Sequence, residues 1–155
     1  MKFVFVFLGK TREKYLAEGI EDYAGRLGRF VQVEFIVIKE NFSKKNQPEI
    51  QMKKEAALLL EKCTEASYVV ALDPSGKMLE SETLAENIVS WENRGLQSVY
   101  FLIGGHCGLH RDVLHRADLI LSLSRMTFTH EMTRLVLMEQ LYRGCMIKTG
   151  RSYHY

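Results

Sequence analysis

The amino-acid sequence predicts an α/β fold, a largely parallel sheet with helices on both faces. Five short β-rich apolar runs alternate with segments whose apolar residues recur at helical spacing. The first run, residues 1–8, is apolar on both faces, as a strand in a covered parallel sheet requires. Three later runs end in glycine or polar residues. A parallel sheet brings such ends to one edge, where open α/β sheets bind their ligands. At 155 residues, 46% hydrophobic and 26% charged, the chain is expected to form one globular domain over residues 1–155. No repeat, low-complexity tract or linker interrupts it.

Each element follows from its own pattern. Gly9 and Lys10 end the first strand. Residues 11–27 set Tyr15, Leu16, Ile20, Tyr23, Ala24 and Leu27 at helical intervals, and Gly28 is placed to stop that helix. Residues 31–38 read as a second strand. Residues 39–48 are polar and rich in Lys and Asn, a surface loop open to RNA contact, with Pro48 just inside the next helix start. Residues 49–63 form that helix. Residues 68–72 make a third strand, stopped by the turn signal Asp73-Pro74-Ser75-Gly76. Residues 80–91 form a third helix with its exit at Gly95. The fourth and fifth strands are residues 99–103 and 119–123, with a short helix at 110–117 between them. Residues 129–146 form the last helix, which Thr129 is placed to cap. Strand order is not readable from this pattern, and an unknotted doubly wound sheet is the default.

The net charge of +2 decides nothing, but its distribution does more. From Arg125 onward there are five Lys/Arg (Arg125, Arg134, Arg143, Lys148, Arg151) against two acids, Glu131 and Glu139. That segment suits an anionic partner such as RNA; on charge alone an Arg-rich solvated helix face is the simpler account. Cys63, Cys107 and Cys145 are scattered and complete no metal pattern, so they read as reduced cytosolic thiols and no metal is expected. The N-terminal apolar run is too short for a leader or a membrane span.

The unusual ends are Leu72-Asp73, Gly104-Gly105, and the stretch Leu123, Ser124, Arg125, Met126, Thr127 and Phe128. Glycines there either let backbone approach a ligand or merely turn the chain. Gly104-Gly105-His106-Cys107-Gly108 has neither G-x-G-x-x-G spacing nor a Gly-Lys-Ser/Thr, which disfavours a dinucleotide or ATP site. His130 precedes the last helix. The terminal Tyr153-His154-Tyr155 is either a frayed tail or material for stacking on a base. Met132, Leu135, Val136, Met138, Leu141, Tyr142 and Cys145 make the last helix apolar over more than one stripe, calling for burial against a second subunit or deep within the chain.

Taken together, Leu102-Ile103-Gly104-Gly105, Gly108-Leu109, Leu121-Ser122-Leu123-Ser124, Met126-Thr127-Phe128, His130, Glu139-Gln140-Leu141-Tyr142-Arg143 and Tyr153-His154 resemble the ribosomal large-subunit methyltransferase H family of the SPOUT superfamily. The resemblance runs over essentially the whole chain. It implies a C-terminal trefoil knot, a homodimer with sites at the subunit interface, and a cytoplasmic enzyme. The implied reaction is methyl transfer from S-adenosylmethionine to N3 of a pseudouridine in 23S rRNA on the assembled ribosome. Leu72, Gly104, Gly105 and the stretch Leu123, Ser124, Arg125, Met126, Thr127 and Phe128 are then expected to hold the cofactor. His154, or else His130, is expected to aid N3 deprotonation, with Arg143 and Arg134 holding phosphate or the developing anion and Tyr153 joining the RNA surface. His106-Cys107 fills a variable slot and takes no role, and Tyr155 stands where the family has a basic residue. The competing classes are a non-catalytic RNA-binding module and a nucleotide-dependent α/β enzyme.

Overall fold

The computed structural model describes residues 1–39 and 47–150. Most of the expected loop 39–48 and the tail residues Tyr153, His154 and Tyr155 lie outside them. Strands and helices alternate: β1 Lys2–Leu8, α1 Lys14–Leu27, β2 Gln32–Ile38, α2 Pro48–Glu61, β3 Tyr68–Met78, α3 Ser81–Asn93, β4 Ser98–Ile103, α4 Arg111–Arg116, β5 Leu119–Ser122 and α5 His130–Lys148. The strands form one sheet in the order β2-β1-β4-β3-β5, every pair parallel.

The period-two alternation of β1 divides the core. Phe3, Phe5 and Phe7 point to the face covered by α1, α3 and α5, where they meet Phe101 and Trp91. Val4, Val6 and Leu8 point the other way, onto Ala56 and Leu59 of α2 and Val113 of α4. β2 is an edge strand and keeps Phe35 and Val37 substantially exposed.

Two features differ from the sequence expectation. β3 does not stop at Leu72. Its pairing with β5 breaks there, residues 73–76 loop out, and Lys77 and Met78 rejoin β5 at Leu121 and Ser122. The turn signal marks the interruption correctly: Asp73 Oδ1 accepts from the Ser75 N–H at 2.9 Å. Gly76 returns the chain so close to β5 that a Cβ there would lie 2.6 Å from the Ile120 carbonyl oxygen. Gly28 does follow α1, but with right-handed geometry (φ −58°), so its left-handed freedom is not what ends the helix.

Much of the broad apolarity of α5 is accounted for within the chain. The helix packs on both α1 and α3 over the sheet, which leaves no residue of it fully exposed. Leu137, Met138, Leu141 and Cys145 are completely buried. Thr129 caps its start as expected, its Oγ1 accepting from the Met132 N–H at 3.2 Å.

The start of α5 is tied to the end of β1 by two buried charges. Arg134, wholly buried, donates from Nη2 to the Leu8 carbonyl at 2.7 Å and from Nη1 to Thr11 Oγ1 at 2.9 Å. Its guanidinium carbon lies 4.5 Å from the centroid of the Phe7 ring. The buried Glu131 carboxylate accepts from the backbone N–H groups of Arg12, at 3.0 Å, and Glu13, at 3.1 Å. Burial alone pushes that carboxyl up, but the N–H groups of Glu13 and Arg12, with Arg134 and His130 nearby, outweigh it and hold the pKa below the ordinary carboxylate value.

A pKa lowered on folding means the contribution is complete above the unfolded-state value, about 4.3 for Glu, and is lost as pH falls through the folded-state value. Glu131→Gln is therefore expected to reduce stability at pH 7 by roughly 1–3 kcal/mol in urea unfolding. The gap to the parent should close on acidification below pH about 4. A gap that stayed constant with pH would show that the charge on Glu131 is not what matters.

Candidate functional site

Because the sheet is parallel, Leu72, Ile103 and Leu121 reach the same edge in neighbouring register, Leu72 paired with both of the others. Beyond these rungs the three strand ends leave the sheet together. They enclose a cavity of about 700 Å³. Leu72, Asp73 and Pro74 line it from β3, Ile103 to Gly108 from β4, and Leu121 to Ser124 with Met126, Thr127, Phe128 and Thr129 from β5. His130 and Thr133, on the first turn of α5, close the remaining side.

The glycine turn is built for itself as much as for a ligand. Gly105 and Gly108 form an antiparallel bridge, with the Gly108 N–H donating to the Gly105 carbonyl at 3.1 Å. Gly108 takes φ +85°, which favours glycine. A Cβ on Gly104 would meet the Gly108 carbonyl oxygen at 2.7 Å. Behind the turn lies buried Glu55 of α2, which accepts from Gln51 Nε2 at 2.8 Å and leaves 3.2 Å for a Cβ on Gly105. The loop after β5 is pinned in its turn: Ser122 Oγ donates to the Ser124 carbonyl at 3.0 Å, and Ser124 Oγ accepts from the Met126 N–H at 2.9 Å. That pinning holds two apolar side chains at the cavity, Met126 at 77% exposure and Phe128 at 42%.

The expected cofactor residues Leu72, Gly104, Gly105, Leu123, Ser124, Met126, Thr127 and Phe128 are brought together around this cavity, and Arg125, which is exposed, does not line it. His130 is at the cavity, its Nε2 3.9 Å from Glu131 Oε1. Arg134 is a correction. Its guanidinium is consumed by Leu8, Thr11 and Phe7 and has no surface to offer a phosphate. Arg143 is held by Glu139 at 2.6 Å and stands thirteen residues along α5 from His130, roughly 20 Å at the helical rise. It does not line the cavity of its own chain. Tyr153 and His154 lie outside the described residues.

Several lining residues escaped the sequence reading. Thr133 was detectable, since it lies one turn from His130 and so shares its side of the helix. Glu55, which does not line the cavity but backs the glycine turn, was not detectable, being one charge among several in a mixed helix. The cysteines divide by position. Burial pushes the Cys63 and Cys145 thiols up to about 11, which keeps them protonated and unreactive, while Cys107 lines the cavity. Among the described residues no group of His, Cys, Asp and Glu is arranged to hold a metal ion, and no helix is long and apolar enough to cross a membrane.

A parallel sheet whose β3, β4 and β5 ends wrap one cavity, closed by the start of the C-terminal helix, is the frame of a SPOUT methyltransferase, and the chain belongs to that family. The family model described as "Predicted SPOUT methyltransferase" matches residues 1–154. The chain is similar to the ribosomal RNA large subunit methyltransferase H of Desulfotalea psychrophila, 47% identical over 154 residues and 99% of each chain. It is likewise similar to the proteins of that name from Clostridioides difficile, 42% identical, and Acetivibrio thermocellus, 39% identical, each over 99% of both chains. In fold it is similar to the solved structure of a probable methylase family protein from Haemophilus influenzae Rd KW20, with TM-score 0.57 and 10% identity over 99% of this chain and 70% of that one.

The geometry of the turn changes what a substitution there should do. Gly104→Val strikes the Gly108 carbonyl, not an open ligand space, and is expected to cost about 1–3 kcal/mol of stability by overpacking. Thermal unfolding checks this. An unshifted midpoint would show that the turn can open without penalty.

Proposed function

We propose that the chain transfers a methyl group from S-adenosylmethionine to N3 of a pseudouridine in 23S rRNA on the assembled ribosome, as a cytoplasmic enzyme. The observation that carries this reading is the cavity ringed by three strand ends, in a chain that shares its full length with relatives named for rRNA methylation. When bound, S-adenosylmethionine supplies a methyl group already activated on a sulfonium. The residues therefore have mainly to position and to exclude water. Backbone groups of residues 104–108 and 122–128 suit a purine edge, and Leu72, Leu123, Met126 and Phe128 suit its faces. Their identities can vary as long as the backbone path is kept.

The N3–H proton must leave. His130, at the cavity, and His154, in the tail, are the candidate bases. Loss of single-turnover methylation in His130→Ala with His154→Ala unaffected would assign the role to His130, and the converse to His154. A base role for either is excluded if both variants keep the parental rate.

The same reading includes a homodimer and the C-terminal knot. Met132, Val136, Arg143 and Ile147 follow one another at intervals of four and seven on α5 and are all only partly exposed, so one side of the helix is apolar around the Glu139–Arg143 ion pair. An isologous contact there would bring Arg143 of one subunit toward the cavity of the other, which the length of α5 prevents within a single chain. Leu141 is wholly buried, so a charge at that position would attack the core before any interface. Val136→Glu is the cleaner test. It is expected to give folded monomers in sedimentation that bind S-adenosylmethionine but do not methylate ribosomes, and a monomer with full turnover would defeat the shared site.

Calorimetry with S-adenosylmethionine separates this function from an RNA-binding module or a nucleotide-dependent enzyme. Ser124→Ala, which removes the acceptor holding the Met126 N–H, is expected to weaken cofactor binding roughly fivefold. Methyl transfer to ribosomes with and without the pseudouridine tests the substrate, and equal labelling of both would show that the modified base is not required.

A further inference from the structure

We infer that the segment from Lys10 to Tyr15 is a preformed platform for the single-stranded rRNA flanking the target nucleotide, an inference that rests on the methyl-transfer reading above. Its composition leads there first. Tyr15 is 62% exposed and belongs to neither core cluster, so folding does not explain it. Lys10, Arg12 and Lys14 are all exposed beside it, with Glu13 the one acid in the segment. Lys14 pairs with Glu18 at 3.6 Å, an exposed pair that competes weakly with a phosphate.

The segment is also held in place. Gly9 turns the chain out of β1 with φ +70° and donates to the Ile38 carbonyl at 2.8 Å. Glu131 receives the N–H groups of Arg12 and Glu13, and Arg134 holds Leu8 and Thr11. A surface fixed beforehand loses little conformational freedom when it binds.

Its position supplies the last observation. Phe7 pairs with Ile103, so β1 and β4 leave the sheet side by side, one into this segment and the other into the glycine turn. Glu131, which anchors the segment, is the residue after His130, and His130 lines the cavity. Cations spaced around an exposed aromatic fit single-stranded RNA, whose phosphates take the charges and whose unpaired bases stack on the ring. With Arg134 buried and Arg143 far along α5, this segment sets three exposed cations, Lys10, Arg12 and Lys14, on the β1 side of the cavity's edge.

The test uses the full chain, ribosomes that carry the pseudouridine but lack its methyl group, and S-adenosylmethionine. Tyr15→Ala is expected to raise the ribosome KM about tenfold, and Tyr15→Phe to restore it. Lys10→Ala with Lys14→Ala should flatten the log–log salt dependence of binding by about 0.7 for each phosphate no longer neutralised. Cofactor affinity by calorimetry should be unchanged in all three. A photo-crosslinker at position 15 should label rRNA. An unchanged KM and salt slope, a Tyr15→Phe variant as weak as Tyr15→Ala, or crosslinking to a ribosomal protein would each overturn the platform. A parent chain that methylates ribosomes while the variants match it sinks the platform alone, whereas a parent that neither binds S-adenosylmethionine nor methylates ribosomes sinks the methyl-transfer reading and the platform with it.

Discussion

Burying Glu131 and Arg134 at the start of α5 obliges the chain to meet their hydrogen-bonding demands from within. An ion taken out of water costs several kcal/mol unless its donors and acceptors are met. Here they are met largely by backbone of the segment that follows β1: the Leu8 carbonyl, Thr11, and the N–H groups of Arg12 and Glu13. The first strand and the last helix, separated by more than a hundred residues, thereby fix each other. His130 and Thr133 sit on the same turn, so the wall they give the cavity is as rigid as the clamp. Apolar side chains in place of the two charges could fill the same volume, yet they would free residues 9–13 from α5, because apolar groups do not select one path for a backbone.

The second constraint is parallelism. With every strand running the same way, all carboxyl ends share an edge, and the chemistry has only one place to gather. β3 adds a refinement. By looping out at residues 73–76 and rejoining β5, it lifts Asp73 and Pro74 into the cavity wall while keeping both sides of the loop anchored in the sheet. The glycine turn after β4 reaches the same end by folding on itself through the Gly105–Gly108 bridge. Each wall is thus held by its own short-range hydrogen bonds.

Much of this was legible in the residues and some was not, for definite reasons. Alternation and helical spacing report which side of an element is buried, and they located all ten elements, nine of them to within three residues at either end. They do not report neighbours, so the order β2-β1-β4-β3-β5 was out of reach. The continuation of β3 was hidden for the same reason: Pro74 and Gly76 mark a break in the ladder, but its resumption depends on a partner more than forty residues away. The cavity residues were found because glycine and polar strand ends are local signals. Arg134 was misread because a charge looks alike in sequence whether it faces water or a buried carbonyl. The cations of residues 10–14 were overlooked because they lie at the far end of the chain from the motifs, and only the sheet brings the two ends together.

That juxtaposition bears on how one small domain handles a large substrate. A cofactor-sized cavity can be walled by three strand ends, but an RNA strand spans much more surface than a cavity does. Cations at two places among the described residues bear on this. The segment after β1 is anchored by Glu131 and lies close to the cavity of its own chain. Arg143 is held by Glu139 near the opposite end of α5. A helix of nineteen residues is too long for both groups to serve one cavity in one chain. In the homodimer proposed above, an antiparallel pair of α5 helices would bring the far end of each helix toward the near end of the other, and the two groups would then flank the same opening. In such a pair the length of α5 is a spacing device: it keeps the distant cation out of its own cavity and makes it available to a partner's.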